Sequence, residues 1–491
     1  MTETTPIIST PASAPSDVTK REIGQVERAL IDASVRGPVL FFYFTALTWL
    51  LGANLLGVLA TFKLLWPSFL GDCVLLSYGR VWPAYMDCLT YGWACMAAFG
   101  TGLWIMGRLC RVALRKSAML IAGAVLWNLG VTLGVILVLT GNGRPAELLD
   151  FPGSVSLILL VGYLLIGTWG FTMFRHRRSG PDYISVWYLI GAFFWFPWLY
   201  ATANLLLSGG HLRGVMQAVV GAWFAQNLIW LFLASIGLAT VYYIVPKITN
   251  KPIHSYYMAS LGFWSFAIFG GWTGMIRLVG APIPAWLITV SVAAAIMMLI
   301  PAATFTINYA KSIKGCSHMV YHSPVLRFTL FGAVAYSISS LLLVFFSFRN
   351  IANFTQFGTV LQGENHLGIY TFFTMVTFGA MYYIVPRLVG CEWFSASMIR
   401  LHFWACAYGI GFFVMLLLVG GIFQGSLWSD KDVYNIDAME AMEPFVIGRC
   451  IAWVLLTFGH VIFALHYLLM LLRLGRPSGT PTLLETKEEH A

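Results

Sequence analysis

Ten histidines, eight cysteines and twenty acidic residues are the stock of chemically competent side chains in this 491-residue chain. Metal chemistry needs several of them together at ligand spacing. The cysteines (Cys73, Cys88, Cys95, Cys110, Cys316, Cys391, Cys406 and Cys450) include no CxxC pair, and most lie inside apolar runs, where they act as small hydrophobes. His318 and His322 stand four apart, a chelating interval on a helix, but among Ser, Pro and Lys; His460 and His466, six apart, point to different helix faces. His176 sits in an arginine cluster, and His211, His254, His402 and His490 fall at the ends of apolar runs or in a tail, as interfacial or solvated groups. There is no CxxCH, Walker-type GxxxxGK(S/T), HExxH or nucleophile elbow, so covalent haem attachment, nucleotide hydrolysis, zinc proteolysis and serine hydrolysis lack support. What remains are single polar residues inside apolar runs: Asp87, Gln226, Arg277, Glu364 and His366.

Membrane helices must carry them. Hydrophobic residues make up 59% of the chain and charged residues 10%, with a mean hydropathy of +0.77, whereas soluble domains hold about 45–50% and about 25%. An ordinary soluble enzyme and a disordered scaffold are both excluded. Apolar windows predict about twelve spans, near 38–62, 84–107, 117–141, 152–175, 183–208, 218–245, 256–280, 283–309, 326–350, 364–388, 398–424 and 442–473. The expected organisation is an N-terminal tail (1–37), a membrane domain (38–473) and a C-terminal tail (474–491). With the N-terminus inside, 21 of the 29 basic residues fall on the inner side, so the positive-inside rule places both termini in the cytoplasm. The net charge of +9 therefore reads as topology signals rather than a nucleic-acid surface, and the acidic loop 430–443 faces outward.

One motif repeats. LWIMGR (103–108), YYIVPK (242–247) and YYIVPR (382–387) close the second, sixth and tenth spans, their basic residues 139 and 140 residues apart. A four-helix unit repeated three times is implied. Twenty-one residues before each basic residue stand Asp87, Gln226 and His366, about 31 Å up the helix at 1.5 Å per residue. Polar groups at equal depth on equivalent helices predict a shared inner surface, with interhelical hydrogen bonding as the plain alternative.

Long collinear stretches, FWFPWLY (194–200), RGVMQAVVGAWFAQN (213–227), YYIVPKITNKPIHSYYMASLGFW (242–264), GGWTG (270–274), 363–390, LHFW (401–404), GIFQG (421–425) and AMEAMEPFVIGR (438–449), resemble subunit I of the cbb3-type cytochrome c oxidases, in the haem-copper oxidase superfamily. The resemblance implies an all-α polytopic membrane protein with twelve helices in three pseudo-symmetric four-helix arcs. It also implies six metal-binding histidines, two for a low-spin haem, one for a high-spin haem and three for copper. Only one position matches. Glu364-Asn365-His366 stands where the family carries His-x-His, so His366 keeps the low-spin haem position and Glu364 replaces the high-spin ligand. Gln226, Ile276 and Arg277 replace the copper histidines; Arg277 cannot deprotonate to become a ligand. Tyr85 falls at the second low-spin ligand, and Tyr256 matches the tyrosine that the family crosslinks to a copper histidine, here Gln226.

Two readings of His366 stay open: a histidine bonded to a neighbouring helix, or a surviving haem b contact with Tyr85 as partner. Glu364 and Arg277 are expected to be buried, and an ion pair between them would limit that cost. The resemblance points to a subunit of a respiratory electron-transfer complex in a bacterial-type plasma membrane, with membrane-anchored c-type cytochromes and other oxidase-like subunits as partners. Copper is not expected, and whether the chain is itself an enzyme stays open. The alternatives are a proton or small-solute transport module, drawing on Asp87 and Glu364, or a cofactor-free scaffold. A nitric-oxide-reductase relationship is the weaker variant within the superfamily.

Overall fold

A computed structural model describes residues 17–114, 117–178, 182–208, 212–356 and 358–477. The expected tails where they cover 1–16 and 478–491, together with Arg115, Lys116, His211 and His490, lie outside the described residues.

Chain this apolar has to satisfy its backbone internally, and it does so as helix. The first unit holds α1 (Asp17–Leu65), α2 (Tyr78–Asp87), α3 (Cys95–Cys110), α4 (Ser117–Leu139) and α5 (Gly153–Arg175). The second holds α6 (Ile184–Ser208), α7 (Val215–Asn227), α8 (Ala234–Thr249), α9 (Tyr256–Phe269), α10 (Ala285–Met297) and α11 (Leu299–Ile313). The third holds α12 (Ser317–His322), α13 (Pro324–Ser347), α14 (Arg349–Thr355), α15 (Val360–His366), α16 (Met375–Val389), α17 (Ala396–Ser429), α18 (Asn435–Glu440) and α19 (Glu443–Leu471). Ten of the described helical runs are long and apolar enough to cross a membrane. The other two expected spans are helical but interrupted: α2 and α3 are joined by the π-helical turn 88–94, and α9 tightens into the 3₁₀ segment Gly270–Leu278. α1 runs unbroken from Asp17 into the first span.

The repeat is written in the backbone. π-helical segments occur at Cys88–Ala94, Leu228–Leu233 and Leu367–Thr374. Each begins just after one of the three aligned polar residues, so Asp87 and His366 directly precede their segments and Gln226 is one residue further back. A π turn is in effect a one-residue insertion, common at functional positions, that rotates the next stretch of helix about its axis. The three inner helices also end alike: Arg111, Asn250 and Gly390 cap α3, α8 and α16 in the left-handed region. Ser255 and Ser395, at matching places in the next helices, accept hydrogen bonds from the Met258 and Met398 amides as N-caps.

The repeated motif closes the bundle at its basic end. Trp104, Tyr243 and Tyr383 meet edge-on, with ring centroids 5.7, 6.0 and 6.4 Å apart in the three pairings. One turn on, Arg108, Lys247 and Arg387 each lie over the aromatic ring of their own motif, at 5.4, 5.9 and 3.6 Å. The inner helices are almost wholly buried, while Leu55, Leu157, Leu205, Leu341 and Val454 on outer helices point away from the bundle, as a lipid-facing surface requires.

Candidate functional site

Arg277 is the centre of one polar knot. The GGWTG stretch that precedes it ends in Gly274, on which a Cβ would lie 2.7 Å from Trp223 Cα. Only glycine lets the 3₁₀ segment come this close to α7, which brings Arg277 against Gln226. The guanidinium Nε donates to Gln226 Oε1 (2.8 Å), Nη1 to Glu147 Oε2 (3.0 Å) and Nη2 to Asn365 Oδ1 (2.5 Å). Asn365 Nδ2 donates in turn to Glu147 Oε1 (2.5 Å), and the Gln356 amide donates to the Arg277 carbonyl. The rigid fork of donors thus ties α7, α15 and the loop before α5 together.

The arginine side chain is 3% exposed and that of Glu147 41% exposed, so the pair runs from the protein interior to its edge. This corrects the expected partner: Arg277 pairs with Glu147, not Glu364. Neighbouring residues point about 100° apart round a helix, so the guanidinium that meets Asn365 is not on the side to which Glu364 points. Glu364 is half-buried; its Oε1 has no hydrogen-bond partner among the described residues, and it lines a void of about 20 Å³ with Ile276, Arg277 and Gln356.

His366 anchors the second knot, about 100° round α15 from Asn365. Its Nδ1 lies 2.6 Å from the Gln362 carbonyl, an acceptor only, so Nδ1 carries the proton and Nε2 must accept. Tyr85 Oη lies 2.8 Å from that Nε2 and donates to it. Tyr85 and Tyr370 stack on the imidazole at 5.8 and 6.2 Å, inclined by 13° and 10°. Trp453 of α19 closes the neighbourhood at 5.4 Å from Tyr85; a Cβ on Gly57 of α1 would lie 2.4 Å from its ring, so the indole occupies the space that glycine leaves.

Asp87 is fully buried, and neither carboxylate oxygen has a partner among the described residues. Asp150, from the same loop as Glu147, is also buried; burial, and next the Glu147 carboxylate, push its carboxyl up to about 7. Tyr256 stands elsewhere. Its hydroxyl donates to the Asp182 carbonyl (2.5 Å) at the basic end of α9, some 21 residues before Arg277 and so about 30 Å along the chain axis. The expected Tyr256–Gln226 apposition is therefore not made.

Sequence reasoning misses Glu147 and Asn365. A signal for Glu147 exists: its loop reads ELLDF, and Leu148 and Leu149 are buried, so an apolar patch inside a connection marks one that folds inward. Three further histidines are buried, so that His460 and His466 take packing roles. His402 Nδ1 meets Tyr382 Oη (2.8 Å), His460 Nδ1 meets Asn54 Nδ2 (2.5 Å), and His466 Nε2 accepts from the Ser395 amide (3.3 Å). The interfacial place expected of His402 is not the one it takes; on α17, packed against Phe378 and Phe463 at 4.6 Å each, it lies inside the bundle.

These elements define a multi-pass helical membrane protein. Residues 37–455 match the family described as Cytochrome C and Quinol oxidase polypeptide I, and the chain belongs to it. Among its relatives is a cytochrome c oxidase subunit 1 homolog, bacteroid, of Bradyrhizobium diazoefficiens, 25% identical over 458 residues, covering 89% of this chain and 82% of the relative. The cbb3-type cytochrome c oxidase subunit CcoN1 of Stutzerimonas stutzeri is 23% identical over 422 residues, covering 83% and 89%. A heme-copper terminal oxidase dimer solved by cryo-electron microscopy shares the fold, with a TM-score of 0.70 at 15% identity over 92% of this chain and 87% of that one.

In both knots the polar atoms are already bonded to one another. Tyr85 Oη and His366 Nε2 are 2.8 Å apart and share a proton, so a metal held by this pair would have to displace that bond. In the first knot the permanently charged Arg277 guanidinium takes up the Gln226 oxygen. Among the described residues no group of three or more His, Cys, Asp or Glu could hold a metal ion.

Proposed function

We propose that this chain is a subunit I paralogue without the oxygen-reducing centre, serving a membrane electron-transfer assembly through its fold and its partners. The observation that carries this reading is the Arg277 knot, one cation bonded to Gln226, Glu147 and Asn365; the resemblance sets Gln226, Ile276 and Arg277 at the positions of the family's copper histidines. A buried guanidinium there repels a metal cation and supplies no lone pair. The Tyr85–His366 bond acts likewise at the low-spin haem position, leaving the imidazole without a free donor atom.

The oxidase subunits among its relatives support an oxidase-type setting, and membrane-anchored c-type cytochromes and other oxidase-like subunits are the partners we assign to it, in a bacterial plasma membrane with both termini cytoplasmic. Oxygen uptake by the purified native complex tests the reading. A Gln226→Ala substitution should leave the rate unchanged at unchanged assembly, and a large specific loss would overturn it.

Asp87 favours a second reading, a proton-transport module on the same fold. A fully buried carboxyl with no protein partner is costly unless it exchanges a proton or meets water. Proton flux into vesicles holding the chain alone, abolished by Asp87→Asn, would favour that reading; co-purification with cytochromes and no flux favours the first.

A further inference from the structure

A recess of about 1530 Å³ opens at the basic end and belongs to neither polar knot. Its walls come from the first turns of α1, the ends of α3 and α8, the connection before α6 and the start of α9. Three of its cations are neutralised: Arg108 by Asp32 (2.9 Å), Arg177 by Asp182 (2.8 Å) and Arg178 by Glu27 (3.0 Å). Four others, Arg28, Arg111, Lys247 and Lys251, have no ion-pair partner among the described residues. Lys251 donates only to the Lys314 carbonyl (3.4 Å), and Lys247 lies over the Tyr243 ring.

A preference for basic residues on one side of a membrane explains cations at a rim. It does not explain four unneutralised ones converging on a single recess, where their mutual repulsion has to be offset. Arg111 adds an independent sign. It holds the left-handed cap (φ 55°, ψ 42°) for which the equivalent positions of the second and third units use Asn250 and Gly390, residue types that adopt this conformation more readily. A side chain there costs about 1–2 kcal/mol, and strain of this kind persists where a group is held for a purpose. The group so held is a guanidinium in the recess wall.

We propose that this recess binds a ligand bearing two phosphate groups, with Arg28, Arg111, Lys247 and Lys251 as its counter-charges. Arginine takes phosphate oxygens in bidentate geometry and lysine as a point charge, and four cations match a ligand of several negative charges. Ile31, Leu109, Val186 and Ile253 form an apolar wall beside them, against which the non-phosphate part of the ligand rests. The phosphates come either from an anionic lipid headgroup or from a soluble diphosphate. The site does not depend on the account of the metal positions given above.

The test uses the full chain purified in detergent. Inorganic pyrophosphate is titrated at low salt and binding is followed by calorimetry, while native mass spectrometry records retained phospholipid. Arg111→Gly is the decisive variant, because it relieves the strained cap and so melts no lower than the wild type; an Arg28→Gln/Lys251→Gln double variant is its companion. Salt-sensitive pyrophosphate binding, weakened about tenfold or more in both variants, identifies a soluble source. Anionic phospholipid retained by the wild type and lost from both variants identifies the lipid source. Absence of both ligands from the wild type, or equal binding by all three proteins, overturns the proposal.

Discussion

The three donors of Arg277 that face Gln226, Glu147 and Asn365 decide the chemistry of this protein more than any histidine does. A buried guanidinium is tolerable only while its counter-charge is present. Removing Glu147 by an Ala substitution is expected to cost about 2 kcal/mol, a value reduced from that of a fully buried pair because Glu147 is partly exposed. The double change Glu147→Ala/Arg277→Met should recover most of that loss, and thermal unfolding of the three proteins in the same detergent measures it; additive losses would show that the two side chains act separately. The sequence displays the participants unequally. Arg277, Gln226 and His366 stand out as polar letters in apolar runs, and their burial follows from that alone. Glu147 does not, because a carboxylate in a connecting loop looks solvated until the buried Leu148 and Leu149 are known to draw the loop inward. Nor could spacing show that Asn365, between two more conspicuous residues, is the one facing the arginine.

At the scale of elements, the three inner helices use one design, from polar residue through π turn and aromatic plug to basic residue and left-handed cap. The aromatic and basic members are legible, since LWIMGR, YYIVPK and YYIVPR recur at fixed spacing. The π turns are not, because an insertion that every unit shares leaves the period unchanged. Packing of the outer helices against this core is equally specific. Gly57 of α1 gives its space to Trp453 of α19, so Gly57→Ala should destabilise by about 1–3 kcal/mol. Trp453→Phe in the same background should restore part of it by vacating the contact. Denaturation midpoints of the single and double variants check this, and a neutral Gly57→Ala would mean that α1 and α19 are further apart than described.

For the whole molecule, the fold is the family's, and the polar residues inside it bond to one another. The loop 140–152 makes stability depend on pH. Asp150 has its carboxyl raised from 3.8 to about 7 by burial and by Glu147. The folded state therefore holds this proton more tightly than the unfolded state, and stability falls as pH rises from about 4 to about 7, then levels off. An Asp150→Asn protein should lack that component: its melting temperature relative to the wild type rises between pH 5 and pH 7.5. Parallel curves for the two proteins would place Asp150 in an ordinary solvated setting.

Whether protein side chains fill the metal positions is decided by the haem b and copper content per copy of this chain in the native complex. A reduced-minus-oxidised spectrum of wild type and His366→Ala completes the measurement. The expected result is no copper, no haem b bound to this chain and superimposable spectra. One haem b per chain in the wild type, lost on His366→Ala, would contradict it.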